Sequence, residues 1–121
     1  MNHDPLRELL ESSIDFDRLR RNRTYKLFIG ATQVRTGKLR LFSGKELSAD
    51  TLLASACLPS LHHAITIDGE AYWDGGYAGN PPVFPLIFNC KSPDVIVVIV
   101  QPLERKELPV SAEATSCVPR N

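Results

Sequence analysis

Hydrophobic and polar positions divide this chain into helix-spaced and strand-spaced stretches. Leu6, Leu9 and Leu10 recur at helical spacing after Pro5, which predicts a short amphipathic helix from Pro5 to Ser13. Phe16 to Arg20 reads as a further helical turn. Tyr25 to Arg35 is strand-like, and Lys38 to Phe42 is its hairpin partner across Thr36-Gly37. Ser48 is placed to cap a helix running to about Cys57, with Leu52 and Leu53 toward the core and Pro59 as the stop. Ala64-Ile65-Thr66-Ile67 and Ala71-Tyr72-Trp73 flank Asp68-Gly69, the short-hairpin signal. A helix is predicted from about Pro82 to Phe88, with Pro85 still in its first turn. Asn89 to Pro93 reads as a turn. Val95 to Val100 is a continuous β-branched run, the pattern of a strand covered on both faces, as in a parallel sheet between helices. From Pro109 the periodicity fades, and β-branched residues and Pro119 disfavour a helix through the last residues.

Candidate chemistry concentrates in Ala71-Tyr72-Trp73-Asp74-Gly75-Gly76-Tyr77-Ala78-Gly79-Asn80-Pro81. A strand end there presents one carboxylate and is followed at once by two glycines, which allow backbone conformations closed to other residues. Asn80 is suited to cap a helix and Pro81 to occupy its first position. A surface turn with a solvated Asp74 is the competing reading. Asp68 serves as a control, because it lies between two β-prone runs and is assigned to a turn without chemistry.

Several segments together carry a resemblance. Leu53-Ala54-Ser55-Ala56-Cys57-Leu58-Pro59, then Asp74-Gly75-Gly76 and Asn80-Pro81, resemble the second half of a patatin-like phospholipase domain. Upstream, Leu27-Phe28-Ile29-Gly30-Ala31-Thr32 followed by Arg35-Thr36-Gly37-Lys38 fits the same family. The resemblance runs from about residue 5 to residue 112, and the order of the pieces is more specific than any one of them. It implies a lipid acyl hydrolase with a Ser-Asp dyad on an α/β/α sandwich. The dyad Asp maps onto Asp74 as proton acceptor, and Gly75 and Gly76 form the motif turn. Ser55, Ala56 and Pro59 would hold the supporting helix, or be plain helix and stop signal.

The sequence also departs from the family. No Gly-x-Ser-x-Gly elbow is present: Leu41 and Phe42 precede Ser43, and Ser60 follows Pro59 with no flanking glycine. No Gly-rich oxyanion loop is present either. The expected fold class is therefore α/β, an incomplete patatin-like α/β/α sandwich comprising the rear half of the sheet with flanking helices and a β-hairpin. Residues 1–112 are expected to be the C-terminal portion of the domain, and residues 113–121 an irregular, aberrant tail. The implied chemistry has a serine from outside these residues attack a lipid ester while Asp74 takes its proton. A carboxylate is a weak base at neutral pH unless partly desolvated, and Trp73 and Tyr77 are the apolar neighbours that would supply this. The isolated chain is expected to be inactive. The alternative class is a non-catalytic remnant or partner-binding module that self-associates through an exposed sheet edge.

Composition narrows the remaining options. Fourteen Lys plus Arg balance fourteen Asp plus Glu, so no long-range pull toward nucleic acid or anionic membranes is expected. Arg18, Arg20, Arg21 and Arg23 form the one basic cluster, beside Asp15 and Asp17. It reads as a solvated helix end, with contact to lipid headgroups as the other option. The three cysteines, Cys57, Cys90 and Cys117, are widely spaced and odd in number, which suits a reducing compartment. Cys57 is expected to be a buried small hydrophobe. His62-His63 lacks the spacing of a metal site and is expected to be one half-buried and one exposed ring. No cofactor, metal, nucleic-acid partner or transmembrane segment is expected, and the absence of an N-terminal apolar run points to a cytoplasmic location. The substrate is expected to be a lipid or acyl ester, if the missing half completes the site.

Overall fold

The computed structural model describes residues 4–79 and 81–99. Helix α1 spans Pro5–Ser13, and α2 spans Phe16–Arg21. Asp4 and Asp15 cap them, accepting the Arg7 and Arg18 amides at 3.1 and 3.0 Å, so each start follows from an acid placed where the helix leaves N–H groups unpaired. The Arg7 guanidinium reaches Asp50 at 2.6 Å and ties α1 to the start of α3, Ala49–Ser55. Ser48 caps α3 as expected. Its hydroxyl accepts the Thr51 amide, and the Thr51 hydroxyl accepts the Ser48 amide, at 3.4 and 3.1 Å.

Four strands form one antiparallel sheet in the order β2-β1-β4-β3. They are β1 Phe28–Gln33, β2 Leu39–Ser43, β3 Ile65–Ile67 and β4 Glu70–Asp74. Both predicted hairpins are present, joined through the central β1–β4 pair, in which Ala31 faces Asp74 and Gln33 faces Tyr72. Asp68 and Gly69 adopt φ of 50° and 80°, the left-handed pair that a two-residue hairpin turn requires.

The core lies between this sheet and α3. Ile29, Ala31, Phe42, Leu47, Ala54 and Tyr72 form it, and Leu19, Leu52, Ile65 and Ile67 pack around its edge. Phe42 meets Tyr72 edge to face with ring centroids 5.3 Å apart. Arg40 lies over the Phe42 ring, 4.7 Å from its centroid, and pairs with Glu46. Its bond holds the Glu46 carboxyl below the usual carboxylate range. A helical turn at Phe84–Asn89, α4, follows the sheet, and Lys26 donates to the Asn89 carbonyl near its end.

The α/β class is as expected, with three corrections. Residues 95–99 form no strand and no ladder, and Ile96 and Val98 stand 89% and 81% exposed. A β-branched run needs neighbours on both edges to become an interior strand, and the edges of this sheet, β2 and β3, do not pair with it; Val100 lies outside the described residues. His62 and His63 are both exposed, because they sit in the loop before β3 rather than on a strand, so facing alternately in and out does not apply. α4 starts at Phe84 with Val83 at its cap position and no side-chain cap, so it begins later than expected. Asn80, the expected cap, lies outside the described residues, as does the 113–121 tail. Among the described residues, no helix is long and apolar enough to cross a membrane.

Candidate active site around Asp74

Asp74 ends β4, and its main chain is gripped from two directions. Its amide donates to the Cys57 carbonyl at 2.8 Å, just past the end of α3. Its carbonyl accepts the Thr32 hydroxyl, also at 2.8 Å, from the neighbouring β1. Thr32 is 2% exposed and Cys57 4%, so both anchors belong to the core. A buried hydrogen bond of this kind is costly to leave unmade.

The next residue locks the turn against the sheet. Gly75 is buried, and a Cβ built on it would sit 2.4 Å from the Gly30 carbonyl oxygen and 2.7 Å from its carbon. The requirement is room rather than an unusual dihedral: Gly75 lacks the positive φ found at Gly37, Gly44 and Gly69. Gly30 and Ala31 are themselves small, so the two backbones approach closely. From Gly75 the chain turns through Tyr77 in a tight 3-10 helix, with the Ala78 and Gly79 amides both donating to the Gly75 carbonyl.

Asp74 as a whole is half-buried, while the hydrogen bond made by its carboxylate is exposed. Oδ1 accepts the Gly76 amide at 2.8 Å, a side-chain turn that Asp makes readily. Oδ2 takes no hydrogen bond among the described residues, which leaves one oxygen for an incoming proton donor. Trp73 and Tyr77 flank the turn, their ring centroids 6.3 Å apart, and Tyr77 is 44% exposed. Asp68, by contrast, is exposed in its hairpin turn.

Cys57 lies close enough to matter electrostatically. Burial pushes its thiol above the ordinary cysteine value, and the negative charge of Asp74 pushes it further. The thiol donates to the His63 carbonyl at 3.2 Å. It is therefore a protonated packing group rather than a nucleophile. Among the described residues, no three metal-ligating side chains gather.

The sequence-predicted Asp74, Gly75 and Gly76 are thus brought together in one turn. Ser55 ends α3 and Ala56 follows it, with the Ala56 amide bonded back to Leu52 and Leu53, so this segment carries the Cys57 carbonyl to Asp74. Gly30, Ala31 and Thr32 belong to the strand that carries the resemblance, but the sequence assigns none of them to the site. Small residues on the strand that opposes a Gly-Gly turn are the one signal that could have pointed to them. Two surface hollows accompany α2 and the loop after it, and neither is lined by Asp74.

Residues 1–87 match the family model described as Patatin-like phospholipase. No curated protein and no solved structure matches the chain.

Proposed function

The chain belongs to the patatin-like phospholipase family, and on that premise we propose that it supplies the acid half of a lipid acyl hydrolase site, with Asp74 as the proton acceptor. The observation that carries this reading is the seat of Asp74. Its main chain is bonded to Cys57 and Thr32, the next residue is wedged on Gly30, and Oδ1 is committed to Gly76. A side chain held this way loses little freedom when a hydroxyl meets it, which is what general-base catalysis requires.

In this reading the serine oxygen attacks the ester carbonyl as its proton passes to Oδ2 of Asp74. Asp74 then returns the proton to the departing alkoxide. Water next attacks the acyl-enzyme, giving a proton to Asp74, and Asp74 returns that proton to the serine oxygen as the acyl–serine bond breaks and the fatty acid is released. The serine is supplied by polypeptide outside these residues, since they contain no Gly-x-Ser-x-Gly. Gly75 and Gly76 would keep bulk away from the bond between the two groups. The substrate is a lipid or other acyl ester.

The experiment joins this chain to a segment carrying the elbow and oxyanion loop and measures ester turnover. Asp74→Asn keeps the size and the Oδ1 acceptor for Gly76, and turnover is expected to fall by about 10²–10⁴ with unchanged folding. Near-parent turnover removes Asp74 from the mechanism. The 121-residue chain alone is expected to show no esterase activity above background.

A second reading, a non-catalytic partner-binding module, is favoured by one observation. Ile87 and Phe88 on α4 are 60% and 81% exposed, an apolar surface that a partner would cover.

A further inference from the structure

A cluster of basic residues lines a hollow that does not include Asp74. α2 ends in Arg20 and Arg21, the following loop carries Arg23 and Lys26, and the 3-10 turn Gly44–Glu46 brings Lys45 alongside. Arg20, Arg21, Arg23 and Lys45 line a shallow hollow of about 340 Å³ with Asp17. Asp17 is spoken for, bonded to Arg20 at 2.6 Å. Arg20 also donates to the Leu47 carbonyl, and Arg23 donates to the Arg20 and Asn22 carbonyls. Among the described residues, Arg21 and Lys45 pair with no acid, and both are exposed. Four cations therefore line one hollow with a single, already committed carboxylate, while nearby Glu46 is paired with Arg40 and Asp15 caps α2.

A second hollow of about 280 Å³ adjoins the first, and Arg23 lines both. Its walls are mostly apolar: Leu19, Leu27, Phe28 and Leu47, with Tyr25 and Lys26 at the rim. Tyr25 is 61% exposed and Leu27 38%. A basic hollow beside one walled by leucines and Phe28, with a tyrosine between solvent and apolar wall, matches the layering of a membrane interface, where anionic groups lie above hydrocarbon.

We propose that this face, formed by the end of α2, residues 22–28 and the turn at Lys45, docks the protein on an anionic lipid surface. The net charge of the chain is zero, so attraction comes from the local cluster alone. It acts only near contact, since charges are screened over about 8 Å at physiological ionic strength. Docking here does not depend on Asp74 carrying chemistry.

The test is co-sedimentation of the 121-residue chain with two vesicle types: phosphatidylcholine alone, and phosphatidylcholine with about one-third phosphatidylserine. Binding is expected only to the anionic vesicles and is expected to be lost in high salt. Each basic residue removed should weaken partitioning about fivefold, so Arg21→Gln with Lys45→Gln should lower it about 25-fold. Both side chains are exposed and hold no structural bond, and an unchanged thermal melt confirms that the fold persists. Tyr25→Ser should weaken binding while leaving its salt dependence as in the parent. Equal binding to both vesicle types, or parent-like binding by the double variant, overturns the proposal. So does release from vesicles by millimolar inorganic phosphate, which would mark a discrete anion site, or tighter retention of a single-stranded oligonucleotide than of the vesicles. The readout is binding rather than hydrolysis, so its failure is distinguishable from failure of the Asp74 reading.

Discussion

Replacing Gly75 with alanine tests whether the turn after Asp74 is built on close contact with β1. The added methyl would lie 2.4 Å from the Gly30 oxygen, well inside the 3.0 Å below which real Cβ atoms essentially never sit. The obstacle is backbone in the central strand, hydrogen-bonded in a ladder on each side, so no flexible side chain can swing away. Relief requires either β1 to shift against β2 or the 75–77 turn to lift from the sheet. Overpacking of this kind costs about 1–3 kcal/mol. Lifting the turn also strains the bonds of Asp74 to Cys57 and Thr32, adding about 1 kcal/mol. Loss of glycine entropy in the unfolded chain returns about 0.4–1 kcal/mol. The expected net loss is about 2–3 kcal/mol. For a domain of this size each kcal/mol moves the midpoint by about 4–8 °C, so thermal unfolding followed by circular dichroism should fall by about 10–20 °C. Gly79→Ala is the internal control. Its Cβ would meet Leu39 at 3.5 Å and Pro82 at 3.9 Å, ordinary contacts, so the midpoint should hold or rise by a few degrees at most. A Gly75→Ala protein that melts with the parent, or a Gly79→Ala protein that loses as much, refutes the reasoning.

Further expectations follow from the same contacts. Thr32→Val keeps the shape but removes the donor to the Asp74 carbonyl, and should cost about 1–3 kcal/mol in urea unfolding. Cys57 should alkylate far more slowly than half-buried Cys90, and Asp74→Asn should speed the reaction by removing one of the two influences that hold the thiol protonated. Because the folded thiol titrates above its unfolded value, its contribution to stability is complete below about pH 8.5 and is lost as pH rises through the folded pKa, which unfolding midpoints across alkaline pH will reveal. Glu46 has the opposite sign. Its folded pKa is lowered by Arg40, so its contribution is present above the unfolded pKa of about 4.3 and lost as pH falls through the folded one. The pair is more than a third exposed, so Glu46→Gln should cost under about 1 kcal/mol at neutral pH, a difference that vanishes in acid. Light scattering should show self-association that falls on Phe88→Ser with Ile96→Ser, two of the three most exposed large apolar positions among the described residues.

Local features were legible in the sequence, and contacts between distant residues were not. The Asp68-Gly69 turn, the Ser48 cap and Pro5 at the start of α1 are each set by neighbours within a few positions, and the structure has all three. The isolation of Asp74 at a strand end was readable for the same reason. Its anchorage was not, because Thr32 lies 42 residues away and looks like any strand threonine. The reading of Gly75 located the residue but gave the wrong reason, since unusual dihedrals are a local property and the observed need is space against Gly30. Residues 95–99 show a further limit. Their composition states that they would gain by burial, but only a neighbouring strand can provide it.

The direction of the sheet separates tolerance from fragility. Glu70 pairs with Arg35 at 3.0 Å, so the turns at Thr36-Gly37 and Asp68-Gly69 lie at the same end of the sheet, beyond the far ends of β1 and β4 from Gly75. A side chain built on Gly37 or Gly69 would meet nothing within 4 Å. Both tips are therefore natural places to splice in a tag, a fluorophore or an extra loop, because insertions are best tolerated in open surface turns. An insertion there must keep the left-handed backbone of Gly37, Asp68 and Gly69, while at the opposite end even a methyl on Gly75 would run into the Gly30 backbone.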